Sequence, residues 1–223
     1  MKQNAKGLTV PRWVFGLLAL LSVGIGLYAF AFYGSLDNVQ DTPFAEDKGS
    51  LPDEWHIFLW AHAVSAGTAI LIGWLQFVKR FRRRTAAVHR VIGYIYSVML
   101  LIAGLTGLYL AFYANGGLIG QVGFAALSVA WLYTLLRGLK SIIVDRRPLE
   151  HGQWMLRNYA LTCAAIMLRI YVPIAAAFGV SDTNDSFTVI AWLCWVPNLL
   201  VAEMLIRSKN SSNYRRVNPP LAR

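Results

Sequence analysis

The sequence is poor in charged residues and lacks the motifs that mark common soluble enzymes. Charged side chains make up 14% of its 223 residues, whereas hydrophobic side chains make up 57%. This balance is the reverse of that in ordinary soluble domains. The chain also lacks a phosphate-binding loop, a nucleophile elbow and a dinucleotide-binding fingerprint. The composition therefore predicts a membrane protein without a soluble domain.

Cysteine and histidine, the residues that most often bind metals, are also scarce. Cys163 and Cys194 are the two cysteines, and they lack the C-x-x-C spacing of a redox or metal pair. Both lie at predicted helix positions, and we expect them to be packing residues. The four histidines include no H-x-x-x-H pair and no carboxylate accompanies them, so a zinc site is not expected.

Long apolar runs are the main feature that the sequence does contain. A membrane-spanning helix needs about 20 mostly apolar residues, and six such runs recur along the chain. They predict an all-α, polytopic membrane bundle that forms one integral membrane domain over residues 1–223. A polar, proline-tipped segment at 208–223 is expected to be a flexible tail. The predicted helices cover roughly residues 12–34, 55–78, 88–113, 118–141, 152–179 and 186–207.

The first apolar run shares features with a secretory signal peptide. Lys2, Lys6 and Arg12 precede or begin it, and residues 29–31 imitate a cleavage site. The run exceeds the usual apolar length of about 7–15 residues in signal peptides, so we interpret it as a membrane helix.

The net charge of +10 reflects basic residues in short loops beside helix ends. Five of them lie between residues 79 and 84, and others follow the fourth and sixth predicted helices, whereas the segment 35–54 is acidic. This is the positive-inside pattern of membrane proteins, and it predicts that both termini are cytoplasmic. Because anionic lipid headgroups account for the charge, the expected partner is the bilayer and not nucleic acid.

A polar stripe runs along the fifth predicted helix. Residues 7, 11 and 18 positions apart return to nearly one helix face, and these steps connect His151, Asn158, Thr162 and Arg169. In lipid, such a stripe must face protein or water, and an intramembrane arginine commonly marks a functional interior. The alternative is that Arg169 snorkels outward or pairs with loop carboxylates. Pro173 lacks the amide that would bind the Arg169 carbonyl.

The third and second predicted helices carry the other candidate residues. His89, Gly93, Tyr96 and Gly107 share one face of the third helix. The glycines leave room either for a flat ligand or for close helix packing. His62 on the second helix is expected near the depth of Arg169, so these two residues are candidates for an outer site.

His89 and His151 both stand at helix starts on the basic side, at one depth. Neutral imidazoles on two helices can bind both faces of a haem iron, with Tyr96 in the pocket wall. The alternative is that both histidines only mark the membrane interface. Arg157 and Glu203 also lie at matching depths, and we expect them to form a structural ion pair.

Three motifs in this order resemble a bacterial family of predicted membrane proteins of unknown function. They are "GWLQF" after His62, "HRVIGYIY" after a basic loop, and "HGQWMLRNYA" leading to Arg169. This resemblance implies a multi-helix inner-membrane protein and no established activity. The sequence is more loosely similar to cytochrome b561-type bundles, which implies histidines that bind haem, although a second outer histidine is missing.

These observations leave three functions open. The first is a redox bundle that binds b-type haem or quinone, with His89 and His151 as haem-iron ligands and His62, Arg169, Tyr96 and Asn158 as further binding residues. The second is a carrier for small anions or protons, lined by the stripe on the fifth helix. The third is a structural or assembly partner of a membrane complex.

Overall fold

The computed structural model describes residues 10–40, 51–78, 85–180 and 183–217, and these ranges contain helices and no strand. The basic run at 79–84 and the acidic segment at 41–50, on which the orientation was predicted, lie outside them. We number the helices in chain order as α1 (Arg12–Tyr33), α2 (Leu36–Gln40), α3 (Asp53–Gly73), α4 (Ala86–Ala111), α5 (Gly117–Ile143), α6 (Pro148–Thr162), α7 (Ala164–Ala177), α8 (Thr183–Leu193) and α9 (Val196–Val217).

Six helical segments in the described residues are long and apolar enough to cross a membrane. They are Arg12–Tyr33, Glu54–Phe77, Ala86–Ala111, Gly117–Ile143, Pro148–Ala177 and Asp185–Ser212. Many of their large apolar side chains are exposed, including Leu20 at 68%, Leu105 at 56% and Met204 at 60%. This outward apolar surface is what a surrounding bilayer requires, so the prediction of an all-α bundle with six spans is confirmed.

The bundle core is formed mainly by residues of α4, α5 and α6. α3 packs between α1 and α4, and α5 packs against α4, α6 and α8. Tyr96, Leu100, Trp131, Leu135 and Tyr159 are buried where these helices meet. α4 and α6 begin at the same end of the bundle, where α5 ends. We call this the basic end, because Arg90, Arg137 and Arg157 lie there.

The fifth predicted helix is two helices, which corrects its interpretation as one segment over 152–179. α6 begins at Pro148 and ends at Thr162, and Cys163, with ψ of −7°, separates it from α7. The Thr162 hydroxyl donates to the Asn158 carbonyl at 3.0 Å, a contact that bends helices. α7 continues through Pro173 to Ala177.

The sixth predicted helix is also broken, and it extends beyond its predicted end. Pro197 lacks the amide that would bind the Leu193 carbonyl, and α8 ends at Leu193. The Asn198 side chain donates to the Cys194 carbonyl at 2.9 Å and satisfies an acceptor at the break. α9 then continues to Val217, so residues 208–217, predicted as part of a flexible tail, are helical.

Two smaller differences concern the end of α3 and the segment between α1 and α3. A 3₁₀ turn at Trp74–Phe77 follows the α-helix, which ends at Gly73 and not at residue 78. The short helix α2 forms in the segment predicted as a loop, and its Val39 is fully buried. Burial of Val39 gives this short segment a packing contact that composition did not indicate.

Candidate functional site

A buried hydrogen-bond network occupies the centre of the bundle. The Tyr96 hydroxyl donates to Asn158 Oδ1 at 2.7 Å and lies 3.0 Å from Thr162 Oγ1. The Trp131 indole donates to Thr162 Oγ1 at 2.9 Å. Asn158 Nδ2 donates to the Trp131 carbonyl and to Thr134 Oγ1, each at 2.9 Å. We call these five residues the central network.

The central network fills the middle of the polar stripe predicted on the fifth helix. Asn158 is 0% exposed and Thr162 is 3% exposed, and the polar atoms of both side chains bind protein groups. A buried polar network whose members are satisfied rigidifies the helices that carry it. In this structure Asn158 and Thr162 therefore connect α4, α5 and α6, and neither of them faces an open channel.

Tyr159 extends these contacts to α1 and was missed from the sequence. Its hydroxyl lies 2.8 Å from Ser22 Oγ, and both residues are buried. A Cβ at Gly73 would lie 2.7 Å from the Tyr159 ring and 2.8 Å from the Tyr96 ring. Only glycine allows this approach, so Gly73 of the "GWLQF" motif admits both tyrosine rings.

His151 lies in the first turn of α6 and is half-buried. Its Nδ1 is 2.8 Å from the Gly138 carbonyl of α5. In the tautomer whose Nδ1–H donates to that carbonyl, Nε2 is the acceptor nitrogen. This is the arrangement of histidines that bind metals through Nε2 and are oriented by a second bond at Nδ1.

His89 lies in the first turn of α4 and is also half-buried. Its carbonyl accepts a hydrogen bond from the Gln76 side chain at 3.2 Å, which connects α4 to the turn after α3. One turn further along, a Cβ added at Gly93 would approach, among the described residues, only Gln76 Oε1, at 3.9 Å. The described residues therefore leave free space on the α4 surface at Gly93, one turn from His89.

The other glycines of α4 serve close packing and not a flat groove. A Cβ at Gly104 would lie 2.5 Å from Leu132 Cδ2. At Gly107 it would lie 2.9 Å from His62 Cε1 and 3.1 Å from Ser128 Oγ. Of the two uses predicted for these glycines, the packing use holds at both positions.

His62 and Arg169 are placed separately by their own contacts. His62 Nδ1 lies 2.9 Å from the Ala103 carbonyl. The Arg169 guanidinium lies 4.7 Å above the Tyr28 ring, and Nη1 donates to the Ala165 carbonyl at 3.2 Å. No hydrogen bond joins His62 to Arg169 in the described residues.

The predicted ion pair between Arg157 and Glu203 is confirmed. Arg157 Nε donates to one carboxylate oxygen, and Nη2 donates to the other at 3.0 Å. The Arg157 guanidinium also lies 4.6 Å from the Trp154 ring centre, and that of Arg137 lies 5.0 Å from it. The pair connects α6 to α9 in a bidentate geometry.

Groups of three or more histidine, cysteine, aspartate or glutamate side chains arranged to hold a metal ion are absent from the described residues. A haem iron needs only one or two protein ligands, so the prediction for His89 and His151 stays a prediction.

The fold and the buried polar contacts define a multi-pass helical membrane protein. Residues 59–206 match the model of a family described as predicted membrane protein (DUF2306), and the chain belongs to that family. Searches of curated proteins and of solved structures each found no match. The looser similarity to cytochrome b561-type bundles therefore stays a prediction.

Proposed function

We propose that the chain is a membrane redox protein that binds b-type haem through His89 and His151 at the basic end of the bundle. The supporting observation is the contact between Tyr96 of α4 and Asn158 of α6. His89 precedes Tyr96 by seven residues, and His151 precedes Asn158 by seven. Seven residues make nearly two helical turns, so both histidines lie about 10 Å along their helices from that contact, on the helix faces that carry Tyr96 and Asn158.

The contacts of the two histidines support this assignment. The bond between His151 Nδ1 and the Gly138 carbonyl orients the ring and leaves Nε2 for iron. Free space at Gly93 lies one turn beyond His89. Arg90 is exposed at the same end, where its guanidinium is available to pair with a propionate.

Haem, when bound, supplies a one-electron carrier. The chain's own residues orient the ligating rings and close the inner side of the site. Tyr96, Asn158 and Trp131 fill the bundle centre below the histidines, so water does not reach the site from that side. Exclusion of water lowers the local dielectric constant and strengthens electrostatic control of a redox centre.

Titration of the purified chain with haemin, followed by the Soret band, tests this proposal. We expect saturation at about one haem per chain, and His89→Ala and His151→Ala are each expected to weaken binding about tenfold or more. His56→Ala is the matched control, because His56 is a half-buried histidine on α3, remote from the basic end. Equal binding by all three variants would contradict the assignment.

A second candidate function, binding of quinone or a small anion in the outer half, is supported by Arg169. Its Nε is buried and has no hydrogen-bond acceptor among the described residues. A quinone carbonyl or a small anion would supply that acceptor, and burial without one costs about 1–3 kcal/mol. The carrier hypothesis also used Arg169 as a binding residue. Binding at Arg169 alone does not require Asn158 and Thr162 to leave the central network and line a cavity.

Binding of a short-chain ubiquinone, and separately of chloride, tests the second candidate through tryptophan fluorescence of the purified chain. Arg169→Gln is expected to lose the binding, whereas Arg12→Gln, an exposed arginine at the start of α1, is expected to retain it. Binding that survives Arg169→Gln unchanged would exclude Arg169 as the ligand group.

A further inference from the structure

An open cavity of about 710 Å³ lies at the basic end, outside the central network. Its walls include Arg146, Arg147, Leu149, Glu150, Trp154 and Arg157. The cavity thus lies at the loop between α5 and α6 and at the first turns of α6. Neither His89 nor His151 lines it, so its chemistry is separate from the proposed haem site.

Positive charge in this cavity exceeds the negative charge that lines it. Glu150 is shared between Arg147 at 3.5 Å and Arg137 at 3.7 Å. Arg157 is neutralised by Glu203. Arg146 is exposed and forms no ion pair with the described residues. The cavity therefore presents uncompensated guanidinium groups, which match the geometry of phosphate oxygens.

The backbone at Arg146 adds a second observation. Arg146 has φ of 53° and is the non-glycine residue with positive φ in the described part of the chain. This left-handed conformation is unfavourable for an arginine, and such strain concentrates at ligand-binding sites. It places a charged side chain at the cavity where glycine or asparagine would fit more easily.

Apolar side chains beside the arginines indicate the kind of ligand. Leu149 in the cavity wall is 80% exposed, and Ile143 and Val144, which precede the wall in the chain, are 65% and 67% exposed. The same segment begins the membrane span Pro148–Ala177. Exposed apolar groups and guanidinium groups at a span's end suit a molecule with acyl chains and an anionic headgroup.

We propose that this cavity binds the phosphate headgroup of an anionic phospholipid, with Arg146 and Arg147 as its main contacts. The Trp154 ring forms part of the wall, and the acyl chains lie against Leu149. Anionic lipids concentrate in the leaflet that faces basic loops, and each nearby arginine adds to their attraction.

Native mass spectrometry of the full chain in detergent, titrated with phosphatidylglycerol or phosphatidylcholine, tests the proposal. We expect phosphatidylglycerol to bind about tenfold more tightly than phosphatidylcholine. The double variant Arg146→Asn and Arg147→Gln is expected to lose most of this preference. Asparagine tolerates the left-handed backbone, and the Arg147 side chain is 71% exposed, so both changes spare the fold.

Arg12→Gln is the matched control, because Arg12 is exposed at the start of α1 and does not line the cavity. It is expected to keep the preference. Equal binding of the two lipids by the unmodified chain, or an unchanged preference in the double variant, would overturn the proposal. If the double variant is not monodisperse, the single variant Arg146→Asn provides the test. It is expected to reduce the preference for phosphatidylglycerol over phosphatidylcholine about fivefold.

Inorganic phosphate at millimolar excess distinguishes a lipid headgroup from a free anion. We expect phosphatidylglycerol to stay bound, because its acyl chains add apolar contact at Leu149. Complete displacement by phosphate would assign the cavity to a free anion and would overturn the lipid proposal.

Discussion

The Tyr96 hydroxyl donates a 2.7 Å hydrogen bond to Asn158 Oδ1 and fixes the register between α4 and α6. Asn158 is fully buried and also donates two hydrogen bonds toward α5. One side chain thus holds three helices in a single arrangement. The proposed haem site depends on this register, because His89 and His151 lie at equal distances along the two helices from the contact.

Asn158→Ala is expected to destabilise the chain by about 2 kcal/mol, because it leaves the buried hydroxyls of Tyr96 and Thr134 without the Asn158 side chain as a partner. Thermal unfolding in detergent, followed by loss of the monodisperse peak, measures the effect. Thr106→Ala is the matched control, because the Thr106 hydroxyl binds only carbonyls of its own helix. Similar unfolding midpoints for the two variants would show that the central network contributes little to the stability of the chain.

Gly73→Ala is expected to destabilise the chain by about 1–3 kcal/mol, because the added methyl group would lie within 3 Å of both the Tyr159 and Tyr96 rings. Gly24→Ala on α1 adds the same methyl group where nothing lies within 4 Å, so it should be neutral or slightly stabilising. The difference between their unfolding midpoints is the measurement. Equal midpoints would contradict the close approach at Gly73.

Glu203→Gln is expected to destabilise the chain by about 1–3 kcal/mol, because it leaves the Arg157 guanidinium, 17% exposed, without its carboxylate. The double variant Arg157→Met and Glu203→Leu should recover much of this loss, because no charge remains buried. Chemical or thermal unfolding of the unmodified chain, Glu203→Gln and the double variant measures the order of their stabilities. Arg147→Gln disrupts the more exposed pair of Arg147 with Glu150 and should lower the free energy of unfolding by less than about 1 kcal/mol.

Gly93→Leu is expected to lower haem binding while the fold stays intact, because leucine would fill the free space beside His89. Haemin titration and the unfolding midpoint are measured on the same preparation. Gly152→Leu is the control, since Gly152 is exposed with nothing within 4 Å of an added Cβ. Unchanged haem binding in Gly93→Leu would mean that haem does not occupy the space at Gly93.

The sequence predicted the six spans because long apolar runs report directly on transfer into lipid. It also predicted the pair of Arg157 with Glu203, since matching depth and opposite charge suffice for that inference. It did not predict the break at Cys163, which coincides with a bond from the Thr162 side chain to its own helix. The helical extent of α9 was missed because residues 208–217 are polar, although Asn210 accepts a hydrogen bond from Gln153 of α6 at 3.0 Å.

The polar residues of the candidate site could be predicted from the sequence more easily than their hydrogen-bond partners. The helical repeat placed Asn158 on a polar face, but it gave no rotation of α6 relative to α4, and so it did not pair Asn158 with Tyr96. Trp131 and Tyr159 are aromatic residues in apolar runs, where nothing in the sequence distinguishes a hydrogen-bonded side chain from an ordinary core residue. Such partners depend on tertiary packing.

A reduced-minus-oxidised absorption spectrum of the purified chain, expressed with added haem precursor, tests the redox proposal most directly. We expect sharp α and β bands in the unmodified protein and in His56→Ala, and their loss in His89→Ala and His151→Ala. A flat spectrum from folded, monodisperse protein would contradict haem binding and would leave the binding of quinone or a small anion at Arg169 as the proposed function.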